Sequence, residues 1–286
     1  MDAFSFTAIG THWTISVDGQ EFTQEMKDKI QSFLEAFNSR FSRFLPGSEV
    51  HVRKGTYPIS EEFAALLTRA DELRRLTNGS FDPAVALVLE EAGYDKDYRL
   101  TASPTSSEQI LPVWSLEGSV LTVDRDATFD LGGIGKGYAI DQVARMMESH
   151  GFQWYLVEGG GDMVATTKKD GSGWRVAVEW PGKEDTAAAI VTLKNEGFAA
   201  SDTFRRRWGK WHHIVDAKTK TPLKAVIGCA VIAQNGWGAD SMTSALFFAA
   251  QKDYQQIAQQ FHAAYLVFLE DGEVLVSEKF VGELFC

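Results

Sequence analysis

The sequence predicts an α+β fold of mixed, largely antiparallel sheets flanked by helices. Segments of alternating apolar and polar residues come in consecutive pairs, and short turn signals lie beside several of them. Helix-period stretches are interspersed among them instead of following every strand, as a regular βαβ series would require.

In chain order, FTAIGTHWTISV (residues 6–17) alternates as a strand segment does. Helical periodicity follows over residues 23–37 and again over 60–77. The Ser-, Thr- and Pro-rich TASPTSSEQILP (101–112) reads as a loop, too short for an interdomain linker. A third helix is expected over 136–150. WRVAVEW (174–180) and YLVFLE (265–270) read as strands, with DGSG (170–173) and EDGE (270–273) as hairpin-type turns. A buried helix is expected after Asp240, and a further helix over 254–262. No internal repeat is visible, and residues 1–286 are read as a single domain with room for two lobes.

The chain has 286 residues, is 44% hydrophobic and carries a formal net charge of −11. Such an acidic chain repels nucleic acid at long range, so an anionic ligand must be held by local donors or a metal. Two cysteines, Cys229 and Cys286, give neither a disulfide framework nor a CxxC signal, which disfavours zinc and thiol redox chemistry. The N-terminus MDAFSFTAIGTHW has no basic leader, apolar h-region or lipid-anchoring cysteine, so a cytoplasmic protein without a membrane span is expected.

DLGGIGKGYAID, from Asp130 to Asp141, sets four glycines and a lysine between an expected strand and helix. Its spacing is neither the GxGxxG of dinucleotide folds nor the P-loop GxxxxGK[ST]. Glycines at such a turn let backbone N–H groups approach an anion at a helix start; equally, they permit tight strand-to-helix packing. In GWGADSMTSALFFAA (236–250), Asp240 and Ser244 share a helical face, which suits magnesium completed by a carbonyl, waters and phosphate oxygens. An acid favoured by the helix dipole beside a small packing serine is the other reading.

Taken together, these two segments resemble the ApbE family of FAD-dependent flavin transferases, with its DLGGIAKGYAVD-like turn and ADALAT-like helix. Further similarities follow in order: IGTHWTI to an MGT segment, FSRFLPGSEV to SxYxPxSE, TNGSFDPAV to GAFDPTV, VEGGGDM to AGGDI, SDTFRR to SGxYER and WHHIVDAKTKTP to HHIIDPxTGxP. The resemblance implies an ApbE-like α+β fold and a magnesium-dependent enzyme that transfers FMN from FAD to a threonine hydroxyl of a partner protein, releasing AMP. FAD pyrophosphatase activity, with water as nucleophile, and non-catalytic flavin binding are the alternatives.

Carried over by position, the resemblance implies metal ligation by Asp240, Ser244 and the carbonyl of Gly133. Asp130 and Lys136 would face FAD, Asp82 would lie near it, and Ile9, Phe44 and Ile214 would contact nucleotide or flavin. His213 matches the family's functional histidine, and with an ordinary pKa it could take the proton of the attacking hydroxyl. His12, His51, His150 and His262 are read as structural or surface residues, and Trp237 as structural. Arg205, Arg206, Arg207 and Lys210 form a basic cluster that could hold phosphates or an acidic partner, or simply be a solvated face; Arg206 matches the family's arginine.

Departures from the family pattern are Ser244 for threonine, Asp202 and Arg205 for the Gly and Glu of SGxYER, and Ala217 and Lys220 for the Pro and Gly of DPxTG. Serine keeps the ligand oxygen. Lys220 in place of a turn glycine implies a reshaped turn.

Overall fold

The computed structural model describes residues 1–102 and 109–285. Residues 103–108 of the expected loop over 101–112, and Cys286, therefore lie outside the described residues. An eight-stranded sheet runs in the spatial order Asp2–Ala8, Thr11–Val17, Tyr155–Gly159, Asp162–Ala165, Glu196–Asp202, Val226–Ala233, Ala264–Leu269 and Val274–Val276. Every neighbouring pair is antiparallel.

Both faces of this sheet are covered. Along Val226–Ala233 the period of two sends Cys229, Val231 and Ala233 into the core beneath the helices, and Ala230 and Ile232 into a second core. That second core packs against a three-stranded sheet of Trp174–Trp180, Lys183–Leu193 and Glu283–Leu284. A further small sheet joins Gly55–Pro58, Val120–Val123 and Trp114–Glu117.

Helices α1 (Gln24–Phe41) and α2 (Glu61–Leu76) begin at side-chain caps, Thr23 accepting from the Met26 N–H and Ser60 from the Phe63 N–H. Their buried stripes, Ile30, Leu34 and Phe37 on α1 and Phe63, Leu66 and Leu67 on α2, enter the helix-side core. Between α2 and the glycine turn lies α3 (Ala86–Glu91), too short and too weakly periodic to be read from sequence.

Two helices position the site, α4 (Gly135–Ser149) and α5 (Gly236–Phe248). Helix α5 starts a turn earlier than the apolar run after Asp240 implies, because Asn235 caps it by accepting from the Gly238 N–H at 2.7 Å. Gly236 and Gly238 thus sit inside the first turn. A short α6 (Tyr254–Gln260) occupies the last expected helix.

The segment 6–17 is not one strand but a hairpin. Ile9 and Gly10 both have positive φ, 50° and 68°, as a two-residue type I′ turn requires. Glycine takes this conformation freely; a β-branched isoleucine there is strained, by about 1–2 kcal/mol. The sequence shows no Asn-Gly or Asp-Gly at the turn, so alternation alone ran the two strands together.

Candidate active site

The residues singled out in the sequence converge on one cleft. Ile9, Phe44, Asp82, Asp130, Gly133, Lys136, His213, Ile214, Asp240 and Ser244 all line it, although they come from segments dispersed along the chain.

Its α4–α5 wall is built by close backbone approach. A Cβ on Gly137 would lie 2.4 Å from the Gly236 carbonyl oxygen and 2.6 Å from the Asp240 Cβ, so only glycine lets the two helix starts meet. Each helix then carries a carboxylate that serves the other. Asp141 on α4 accepts from the N–H groups of Gly236 and Trp237 at 2.8 and 3.0 Å, while Asp240 on α5 accepts from the Gly137 N–H at 2.8 Å. Both acids take orphan donors of a first helical turn.

The glycine turn therefore does not present a row of free N–H groups to an anion. Gly132 N–H donates to Asp130, Ile134 and Gly135 N–H to the Leu131 carbonyl, and Gly137 N–H to Asp240. Tight packing, the plainer of the two sequence readings, accounts for most of these glycines.

Asp240 is 2% exposed, and burial, with Asp162 nearby, pushes its carboxyl well above the usual carboxylate range. Lys136 forms an ion pair with Asp162, which is fully buried and also accepts from the Ala200 N–H at 3.3 Å. Burial works against the Lys136 ammonium, but Asp162, and after it Asp240, hold its pKa above the ordinary lysine value. Ser244 Oγ donates to the Gly133 carbonyl at 2.7 Å, which fixes a side chain that lacks threonine's methyl group.

The donor set fits magnesium. A carboxylate, a hydroxyl and a carbonyl are hard oxygen donors, and the 2.7 Å between Ser244 Oγ and the Gly133 oxygen is near the roughly 3 Å between adjacent ligands of an octahedral Mg²⁺. Among the described residues no three His, Cys, Asp or Glu side chains cluster as a metal site, so an all-side-chain zinc-type centre is not the alternative.

A second wall consists of Phe44, Tyr94 and Tyr98. Phe44 meets the two tyrosines with ring centroids 5.7 and 5.9 Å away. Asp130 has both oxygens engaged within the protein, Oδ1 by the Gly132 N–H at 2.7 Å and Oδ2 by Arg43 at 2.9 Å. Asp82 is similarly occupied: Oδ1 accepts from the Ala84 N–H at 2.9 Å and from the Trp114 indole at 3.0 Å, and burial raises its pKa.

His213 differs from expectation. Burial, reinforced by the Arg206 charge, pushes its pKa from the ordinary 6.5 down to about 3, and its Nδ1 has no hydrogen-bond partner among the described residues. It is a neutral imidazole at physiological pH. Neighbouring His212 is held by the fold, between the Leu223 carbonyl at 2.7 Å and the Ile214 N–H at 3.2 Å. His12, His51, His150 and His262 are exposed. Trp237 stands outside the cleft lining, edge-on to Tyr138 at 4.9 Å.

Of the departures, Ser244, Asp202 and Arg205 line the cleft, whereas Ala217 and Lys220 stand outside its lining. Asp202 accepts from the N–H groups of Phe204 and Arg205 at 2.7 and 2.9 Å, folding the turn by a side chain where glycine would fold it by backbone freedom. Arg205 pairs with Glu179, and Arg205 and Arg206 line the cleft. Ala217 supplies an N–H that proline lacks and donates it to the Ser80 carbonyl at 2.9 Å. Lys220 has φ 56°, so a lysine holds the left-handed conformation that glycine takes freely.

Sequence reading missed Arg43, Asp162, Tyr94 and Tyr98. Asp162 had a signal, an acid closing the glycine run of VEGGGDM. Arg43 had one too, a lone cation among the aromatics of FSRF.

A cleft that joins hard oxygen donors and a lysine to arginines and a group of edge-on and tilted aromatic rings suits a phosphate-bearing aromatic ligand. The family model named ApbE family matches residues 9–268, and the chain belongs to that family. A FAD:protein FMN transferase of Salmonella typhimurium is 28% identical over 291 aligned residues, covering 93% of this chain and 83% of the relative. A FAD:protein FMN transferase of Haemophilus influenzae is 28% identical, covering 87% and 80%. The crystal structure of the ApbE protein from Thermotoga maritima superposes with a TM-score of 0.85 at 27% identity, covering 97% of each chain. The flavin transferase ApbE from Vibrio cholerae, at 23% identity and a TM-score of 0.80, shares the fold. Among the described residues, no helix is long and apolar enough to cross a membrane.

Proposed function

We propose that this chain, acting as one flavin transferase domain, transfers FMN from FAD to a threonine hydroxyl of a target protein and releases AMP. The observation that carries the reading is the meeting, in one cleft, of all ten positions implied by the family resemblance. The names of the curated relatives support the same activity.

The threonine oxygen attacks the FMN-side phosphorus of the pyrophosphate. A new P–O bond forms to threonine and the P–O bond to the AMP phosphate breaks. Asp240, Ser244 and the Gly133 carbonyl would hold Mg²⁺, which supplies positive charge to the phosphate oxygens. Lys136, fixed against Asp162, adds a cation at the cleft floor.

His213 would accept the threonine proton. As a free imidazole with a pKa of about 3 it is a weak base. Phosphate charge entering the cleft moves that value upward, since a nearby anion favours the imidazolium. The base is thus strengthened by bound substrate.

Incubating the protein with FAD, magnesium and a threonine-bearing acceptor domain, with nucleotide chromatography and intact-mass analysis, tests the reading. Acceptor-dependent AMP release with an FMN mass gain is expected. AMP and free FMN without acceptor would assign a hydrolase, and bound but unchanged FAD a flavin carrier.

A further inference from the structure

Arg43 stands between serine and aromatic in FSRFLPGSEV, a position that the pattern SxYxPxSE leaves unspecified. Its side chain is 3% exposed, yet it lines the cleft. The guanidinium donates through Nε to Asp130 at 2.9 Å and through Nη2 to the Tyr94 carbonyl at 2.7 Å, with Glu90 3.5 Å from Nη1. Its carbon lies 4.1 Å from the centroid of the Phe44 ring and 4.9 Å from that of Tyr94. One planar cation therefore ties the glycine turn to the aromatic wall, and lysine offers neither the fork nor the stacking plane.

The charge balance gives this tie a consequence for binding. Asp130 also lines the cleft, and without Arg43 its carboxylate would stand against the wall where an anionic pyrophosphate must pass. We propose that Arg43 is a positioning and specificity-determining residue for nucleotide binding. It cancels the Asp130 charge and fixes Phe44, so that the wall accepts a ligand that is anionic and aromatic at once. This inference rests on the reading of FAD as substrate.

The test is FAD affinity of the full chain, followed by flavin fluorescence, in wild type, R43M, R43K and the double variant R43M/D130N, with thermal unfolding alongside. R43M is expected to weaken FAD binding by about ten- to a hundredfold, and R43K by less. D130N added to R43M restores much of the loss, because it removes the uncompensated carboxylate; a purely structural role for Arg43 gives no such rescue. Unchanged FAD affinity in R43M, or a loss that D130N leaves untouched, overturns the inference while FAD remains the ligand. A wild-type protein with no affinity for FAD overturns the substrate reading and this inference with it.

Discussion

The α4–α5 wall of the cleft is held by backbone groups that touch, whereas the Phe44–Tyr94 wall is held by side chains gathered around one buried guanidinium. On the first wall nothing larger than hydrogen fits at Gly137, and helix donors are taken by Asp141 and Asp240. On the second, rings and charges meet at ordinary packing distances. Backbone intimacy fixes residue identity tightly; side-chain contact leaves room for exchange.

The difference predicts a graded response to substitution. The sharpest break should come from Gly137→Ala, whose methyl group meets backbone that cannot yield. We expect a loss of about 3 kcal/mol in urea unfolding, with flavin transfer abolished. A stability change below a few tenths of a kcal/mol would show that the helices can part there.

Asp141→Ala should come next, leaving two helix N–H groups unpaired at a cost of about 2 kcal/mol. Asp141→Asn, which keeps an acceptor, should lose less than half of that by the same measurement.

Within the cleft lining, His213 has a lowered pKa, so between about 3 and 6.5 the unfolded chain binds more protons than the folded one. Its contribution is present above pH 6.5 and is lost as pH falls. Comparing wild type with His213→Gln, the wild type should lose about 2 kcal/mol more between roughly pH 7 and pH 5. Parallel pH profiles would place the histidine in a more solvated setting.

The smallest effect belongs to the turn between Val215–Asp216 and Thr221–Pro222. Lys220→Gly removes a left-handed lysine and should raise stability, by about 0.5 kcal/mol once the added chain entropy of glycine is counted. A fall in melting temperature would mean that the lysine side chain contributes more than its backbone costs.

Much of this was legible because the chemistry lies in short segments. Asp240 and Ser244 are one turn apart, and Lys136 sits within the glycine run, so local spacing exposed them. Arg43 and Asp130 are 87 residues apart, and no periodicity links them. The lowered pKa of His213 was hidden for the same reason, since it arises from the crowding of distant segments around one ring. The hairpin turn at Ile9 escaped because its first residue is one that turn chemistry disfavours.

The exchange of carboxylates between α4 and α5 has a bearing on how the site comes into being. Each helix start gives N–H groups to the acid of the other, so ordering of one start favours ordering of the other. The carbonyl of Gly133, just ahead of α4, and the oxygens of Asp240 and Ser244 on α5 are therefore brought into register by the same event that closes the core. A cation that bound there would stabilise the folded protein as a whole.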